Sequence, residues 1–369
     1  MAIALFVRQR WKKPNNNLCY GLGGEMMRSL LLGGLAALAV GAGSAAAQTP
    51  TLTLGLYGGS FEKTMRETVV PAFQKEFKVE FKYVAGNSTD TLARLQAQKA
   101  KQEMDIVFLD DGVLYQAIQL GFCAPLTDAP IYKDLYDVAK VPGNKGIFLG
   151  FDATGITFNT KYFKEKGWAP PSSWNELADP KYKKILAISP ITGTYGLHAL
   201  VMLARANGGS ETNIEPGFKA MEKVAPNILT FPSSPAKLSE ALQASDVAIS
   251  VWGSGRTVAL AKTGFPVAFV YPREGAVSLM PGMCAVAKPD ASDLAQKFIQ
   301  FNFRPEIQAI WAKEDGDGPA NKNTKLDPDV AKLVPYGPEQ VSKLVAVNWD
   351  AINKERGDWT KRWQREIEK

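Results

Sequence analysis

From Thr51 to Gly264 short strand-like runs alternate with helix-like runs, and that order constrains the fold more than any other feature of the chain. "TLTLGLY" places Leu52, Leu54 and Leu56 on one face of a strand. A helix is expected from Ser60 to about Phe77, where Phe61, Met65, Val69, Phe73 and Phe77 recur every four residues. Pro71 must kink or restart it, because proline lacks the amide proton and clashes with the preceding turn. "KVEFKYVAG" and "MDIVFLD" read as strands, "TDTLARLQAQKAKQ" and "GVLYQAIQLG" as helices. Strands separated by helices of this length imply right-handed crossovers and a parallel sheet.

A second α/β series starts after "GITFNTKYF". "APPSSWNELADPKYKK" reads as a surface segment; "ILAISP" and "DVAISVW" read as strands, and "YGLHALVMLARANGG", "SSPAKLSEALQAS" and "GRTVALAKTG" as helices. "PVAFVYPREGAVSLMPGMCAVAK" supplies strand-like runs broken at Pro272 and Pro281, and Asp290–Lys369 is mainly helical. Two α/β lobes with more than one crossing between them are the economical arrangement, with lobe 1 at 48–158 and 276–310 and lobe 2 at 159–275 and 311–369.

Residues 26–50, "MMRSLLLGGLAALAVGAGSAAAQTP", have the charged start, apolar run and small-residue cleavage site of a signal peptide cut near Ala47. Residues 1–25 fit that leader poorly and read either as an over-extended start or as a long basic n-region. Five of the 43 basic side chains and one of the 37 acidic ones precede Gln48, so the basic character belongs largely to the leader. The remainder is close to neutral and offers no electrostatic footprint for nucleic acid. Of three cysteines, Cys123 and Cys284 lie beyond the leader, and pairing or burial as thiols are both open to them. His198, the single histidine, sits in a plain apolar helix pattern and reads as a core residue. These counts give no support for a zinc cluster or a cysteine–histidine nucleophile, and neither metal nor cofactor is expected.

Four loops join a strand to a helix start: "LYGGSF", "FLDDGV", "SPITGTYG" and "VWGSGRT". In open α/β sheets ligands bind at such loops, where the free amides of helix starts meet anionic groups. Each alone reads as capping; four together favour a shared cleft lined from both lobes. The candidate ligand-binding residues are Gly59, Ser60, Phe61, Asp110, Asp111, Thr192, Gly193, Thr194, Tyr195, Trp252, Ser254, Arg256 and Glu274. Arg256 and Arg273 are candidates to hold an acidic group, Asp110, Asp111 and Glu274 an amine, and Trp252, Phe61, Tyr195 and Tyr271 an apolar wall. N-capping by Asp111, solvated arginines and a hinge hydrogen bond from Glu274 are the plainer alternatives. No loop matches a nucleotide-binding signature, and no catalytic residue is assigned.

The Ala-rich leader, "LYGGSFEKTMRETVVPAFQKEF", "MDIVFLDDGVLYQAIQLG", "PPSSWNELADPKYKK", "DVAISVWGSGRTVALAKTG" and "PVAFVYPREG" together resemble extracellular solute-binding proteins of ABC importers, nearest the spermidine/putrescine-binding branch. The resemblance implies a type II periplasmic-binding-protein fold, two α/β lobes joined by a hinge around one small solute. It also implies a periplasmic, non-enzymatic monomer that presents the solute to ABC permease membrane subunits. One departure is visible: polyamine binders usually carry a Trp and an Asp after the Pro-x-Glu-Gly stretch, and here that region reads "AVSLMPGM". The expected solute is therefore acidic or zwitterionic, such as an amino acid derivative, an opine or an aminophosphonate, with a polyamine as the alternative. A secreted hydrolase would need a nucleophile with its base, and a regulator's effector lobe would lack the leader.

Overall fold

The computed structural model describes residues 49–368, so the leader and its cleavage site lie outside the described residues. Among the described residues twelve strands make two sheets: β1 (Thr51–Leu56), β2 (Glu80–Ala85), β3 (Ile106–Asp110), β4 (Ile147–Phe148), β5 (Gly150–Asn159), β6 (Leu186–Ala187), β7 (Ile228–Thr230), β8 (Ile249–Gly253), β9 (Val267–Val270), β10 (Val277–Leu279), β11 (Pro281–Ala285) and β12 (Gly318–Pro319). The first sheet runs β2-β1-β3-β11-β4; the second runs β10-β5-β8-β6-β7, with β9 and β12 also paired to β5. Each sheet has its own apolar core, one built on Leu54, Phe73 and Phe108, the other on Trp174, Leu200 and Val251. A sheet and its core are called a lobe below.

The parallel expectation holds within β2-β1-β3 and β7-β6-β8, where helices make the crossovers. It fails where the chain changes lobe. β5 runs antiparallel to β8, and β11 enters the first sheet antiparallel to β3. These strands arrive from the other lobe without a crossover helix, so nothing reverses their direction. The change of sheet falls at Leu149, between β4 and β5, and at Met280, between β10 and β11. All of β5 therefore lies in the second sheet, nine residues before the boundary expected at 158/159. The two crossing strands are bonded to each other through Leu149 N–H to the Pro281 carbonyl at 2.7 Å, and Gln308 Nε2 donates to the Leu149 carbonyl at 2.9 Å.

Three local expectations need correction. The first helix runs without a break through Ser60–Thr64, a π-helical turn at Met65–Val69, and Val70–Gln74. The wider π turn lies directly before Pro71 and lets the helix absorb the missing donor. Ser60 does not cap it: Gly59, at φ 75°, is the cap residue, in a conformation that glycine adopts at little steric cost. The "surface" segment carries Trp174, Leu177 and Tyr182, all fully buried, in 3₁₀ turns that close the second core.

Cys123 and Cys284 are joined in a disulfide, Cα–Cα 5.6 Å, which ties the loop following the helix Asp111–Gln119 to β11. Among the described residues no helix is long and apolar enough to cross a membrane.

Candidate functional site

The carboxyl ends of β1, β2, β3 and β8 point toward the seam between the lobes, and a cavity of about 860 Å³ occupies it. From the first lobe come Tyr57, Phe61, Ser88 and Asp110; from the second come Thr192, Gly193, Thr194, Tyr195 and Arg256, together with Arg356 of the C-terminal helix Trp349–Glu366. Three helix starts open on it, those of Ser88–Ala97, Thr194–Ala206 and Pro235–Gln243. The first-turn amides that the Asn87 and Ser234 caps leave over favour anionic or hydroxyl groups there.

The lobes are bonded across the seam on both sides of the cavity. Thr194 donates its hydroxyl to Asp110. Arg256 Nη1 donates to Ser60 Oγ at 2.7 Å and more weakly to the Gly58 carbonyl at 3.5 Å. Asn87 Nδ2 donates to the Ser233 carbonyl at 3.2 Å, and Gln116 Nε2 to Asn353 Oδ1 at 2.7 Å. Trp349 Nε1 donates to Asp111 Oδ2 at 2.8 Å, with the indole laid against Gly112. A Cβ on Gly112 would stand 2.3 Å from that ring. Gly112→Ala is therefore expected to cost about 1–3 kcal/mol by overpacking, read from urea unfolding. A variant as stable as the parent would show that the indole can move aside.

The floor of the cavity is acidic. Asp152, on β5, accepts from the Ser254 hydroxyl, from Gly255 N–H at 2.8 Å and from Ala153 N–H at 2.7 Å. Asp315 and Asp317 stand in the turn after the helix Pro305–Glu314 and, like Asp152, are buried. Arg256 is 3.7 Å from Asp315. Burial pushes the Asp152 carboxyl up to about 6, and pushes Asp317 well above the usual range, with Asp315 and Asp152 adding to the rise. Burial also opposes the Arg256 charge, yet Asp315, Tyr195, Asp317 and Asp152 hold it more firmly protonated than usual.

Of the expected residues, Phe61, Asp110, Thr192, Gly193, Thr194, Tyr195 and Arg256 line this cavity. Gly59, Ser60 and Trp252 face a second space of about 590 Å³ on the other side of Arg256. The Gly58-Gly59 turn is met by protein, not by open cavity: a Cβ on Gly59 would lie 3.7 Å from Ala236 across the seam. Trp252 is 2% exposed and belongs to the second core. Ser254 is spent on Asp152, and Asp111 lies under its helix bonded to Trp349, where burial raises it to about 8. Glu274 is outside the cavity, accepting from Ser173 Oγ at 2.5 Å and Trp174 N–H at 3.2 Å, with Arg273 3.4 Å away. Tyr271 is 52% exposed. His198 is buried, as expected, its Nδ1 2.8 Å from Thr154 Oγ1. Asp152, Asp315, Asp317, Arg356 and Lys237 were not anticipated.

Comparison with known proteins follows this geometry. The profile of the family described as bacterial extracellular solute-binding protein matches residues 68–336. The chain is 24% identical to a gamma-aminobutyric acid-binding protein of Pseudomonas aeruginosa, over 83% of this chain and 88% of that one. It is 25% identical to the putrescine-binding periplasmic protein PotF of Escherichia coli, over 77% and 81%. In fold it matches the periplasmic binding protein AgtB of A. tumefaciens R10, solved in complex with agropinic acid, at a TM-score of 0.72, with 18% identity over 87% of this chain and 99% of that one. With a type II two-lobed fold, a solute-sized cavity at its seam and a family profile over most of its length, the chain belongs to the bacterial extracellular solute-binding proteins, the substrate-binding components of ABC importers.

Proposed function

We propose that the mature chain, cut near Ala47, works in the periplasm as a monomer without catalytic activity. It captures one small polar solute between its lobes and hands it to the membrane permease. The solute carries an acidic group, alone or with an amine, as in an amino acid derivative, an opine or an aminophosphonate. The moving bodies are the two cores, pivoting where the chain passes between sheets at Leu149 and Met280. The observation that carries this reading is the seam cavity lined from both lobes, whose walls are joined by bonds such as Thr194 to Asp110 and Arg256 to Ser60. A ligand touching both walls favours the closed arrangement by the difference in its affinity for the two states.

The acidic floor supports polyamine binding as a second reading, because Asp315 and Asp317 bring carboxylates that the stretch after Gly275 lacks. Calorimetric titration of protein refolded to strip bound solute separates the two, and small-angle scattering with and without solute tests closure. An amino acid derivative, opine or aminophosphonate is expected to bind and to reduce the radius of gyration. Binding of putrescine or spermidine alone would sink the acidic or zwitterionic reading, and an unchanged radius with bound solute would sink closure.

A further inference from the structure

The floor of the cavity holds more than the compensated ion cluster that a buried core tolerates. Asp152 has one oxygen saturated by three donors, and Asp315 lies near Arg256. Asp317 is 5% exposed and lines the cavity, and its Oδ2 has no hydrogen-bond partner among the described residues. From the opposite lobe Tyr57, 6% exposed, also lines the cavity, its hydroxyl beside Asp110 and Ser88. Asp152, Asp315 and Asp317 face the guanidinium of Arg256, and burial raises the carboxyls of Asp152 and Asp317, so a cation arriving there would displace a proton. A buried carboxylate oxygen without a donor is costly unless something is meant to meet it.

Resting on the capture role above, we infer that Asp317, with Asp152 and Asp315 beside it, is the seat of a protonated amine, so that the solute enters with its ammonium against the floor. An ammonium group brings three donors and a positive charge, matching the partnerless oxygen of Asp317 and the acidic groups beside it. A metal ion fits less well: among the described residues no group of acidic, histidine or cysteine side chains has the arrangement to hold one. Elsewhere along the cavity basic groups stand near Asp110. Arg356, fixed by its bond to the Thr192 carbonyl at 2.9 Å, and Lys237, in the first turn of Pro235–Gln243, stand beside the three helix starts. That region takes the acidic or hydroxyl part. The solute is thus dipolar, and Arg256, already engaged with Ser60 and Asp315, is not its carboxylate receptor.

The test titrates wild type, Asp317→Asn and Tyr57→Phe with γ-aminobutyrate, 6-aminohexanoate, putrescine and glutarate, by calorimetry and thermal shift. At least one of the three amines is expected to bind wild type, with glutarate bound weakly or not at all. Asp317→Asn is expected to weaken that amine about tenfold or more. The same variant should melt no lower than wild type without solute, since the amide replaces a carboxyl whose ionised form burial already disfavours; Tyr57→Phe covers the case in which it does not fold. Equal affinity of wild type and Asp317→Asn for the amine would overturn the seat, as would binding of glutarate with none of the amines, or no response to any amine. The capture role is judged separately. Glutarate binding with compaction sinks the seat and leaves capture standing, and a bound solute that causes no compaction sinks closure whatever Asp317 does.

Discussion

Arg256→Met is expected to lower folding stability by about 3–5 kcal/mol near pH 7.5 and to abolish solute capture. The side chain is 10% exposed and its guanidinium is the cation placed among Asp152, Asp315 and Asp317. Methionine keeps most of the volume and removes the charge, so the cost is that of leaving buried carboxylates without a counterion. The same change deletes the 2.7 Å bond to Ser60 in the other lobe, so the solute-free protein should scatter with a larger radius of gyration. Two features identify the cause. The loss should shrink at pH 5, where those carboxyls take up protons. The double variant Arg256→Met/Asp315→Asn should recover more than 1 kcal/mol beyond additivity, since the two groups share one cluster. Urea unfolding followed by tryptophan fluorescence reads all three, and a single-variant loss below about 1 kcal/mol would show that the cluster does not depend on this cation.

How much of this could be read from the residues divides along the range of the interactions. The β1, β3 and β8 strands, the helices after them, and the meeting of their loops at one cleft follow from periodicity, which is local. The failures are long-range. "LYGGSF" carries every mark of a ligand-approaching turn, yet what approaches Gly59 is Ala236 of the other lobe. Trp252 ends a strand beside a loop, but its ring turns into the core. The acidic floor comes from positions with no motif: Asp152 inside a wholly buried strand, and Asp315 and Asp317 in a turn after an amphipathic helix. A weak signal was present. Asp152 is the one charged residue in "GFDATGITFN", and Arg356 lies on the stripe of Trp349, Ile352, Trp359 and Trp363, where an apolar residue is expected. A charge on a buried face costs free energy, so it has to meet something, and only the tertiary fold says what.

Stability of the solute-free protein is expected to rise as pH falls from 9 toward 4.5, because the acids that burial raises outweigh His198, the buried base that burial depresses. Asp111, packed under Trp349 and beside Asp110, is raised by burial to about 8 from 3.8. The folded state therefore holds its proton below pH 8, where the unfolded chain has already lost it. Stability then rises by about 2 kcal/mol as pH falls from 8.5 to 6.5. His198 works the other way. Burial first, then Arg356 and Arg205, push it down to about 3 from 6.5. Below pH 6.5 the unfolded chain binds a proton that the folded state refuses, which costs about 3 kcal/mol by pH 4.5. Over the same range Asp111 goes on gaining about 3 kcal/mol, because its unfolded value is 3.8, and Asp152, raised to about 6, adds about 2 kcal/mol, so the two together outweigh the loss at His198. A melting-temperature profile from pH 4.5 to 9 tests this. Asp111→Asn should flatten the rise below pH 8 and His198→Gln should steepen it below pH 6.5; a profile that both variants leave unchanged would mean that neither buried group sets it. Asp152→Asn should flatten the rise below pH 6, because it removes a contribution that grows as the pH falls.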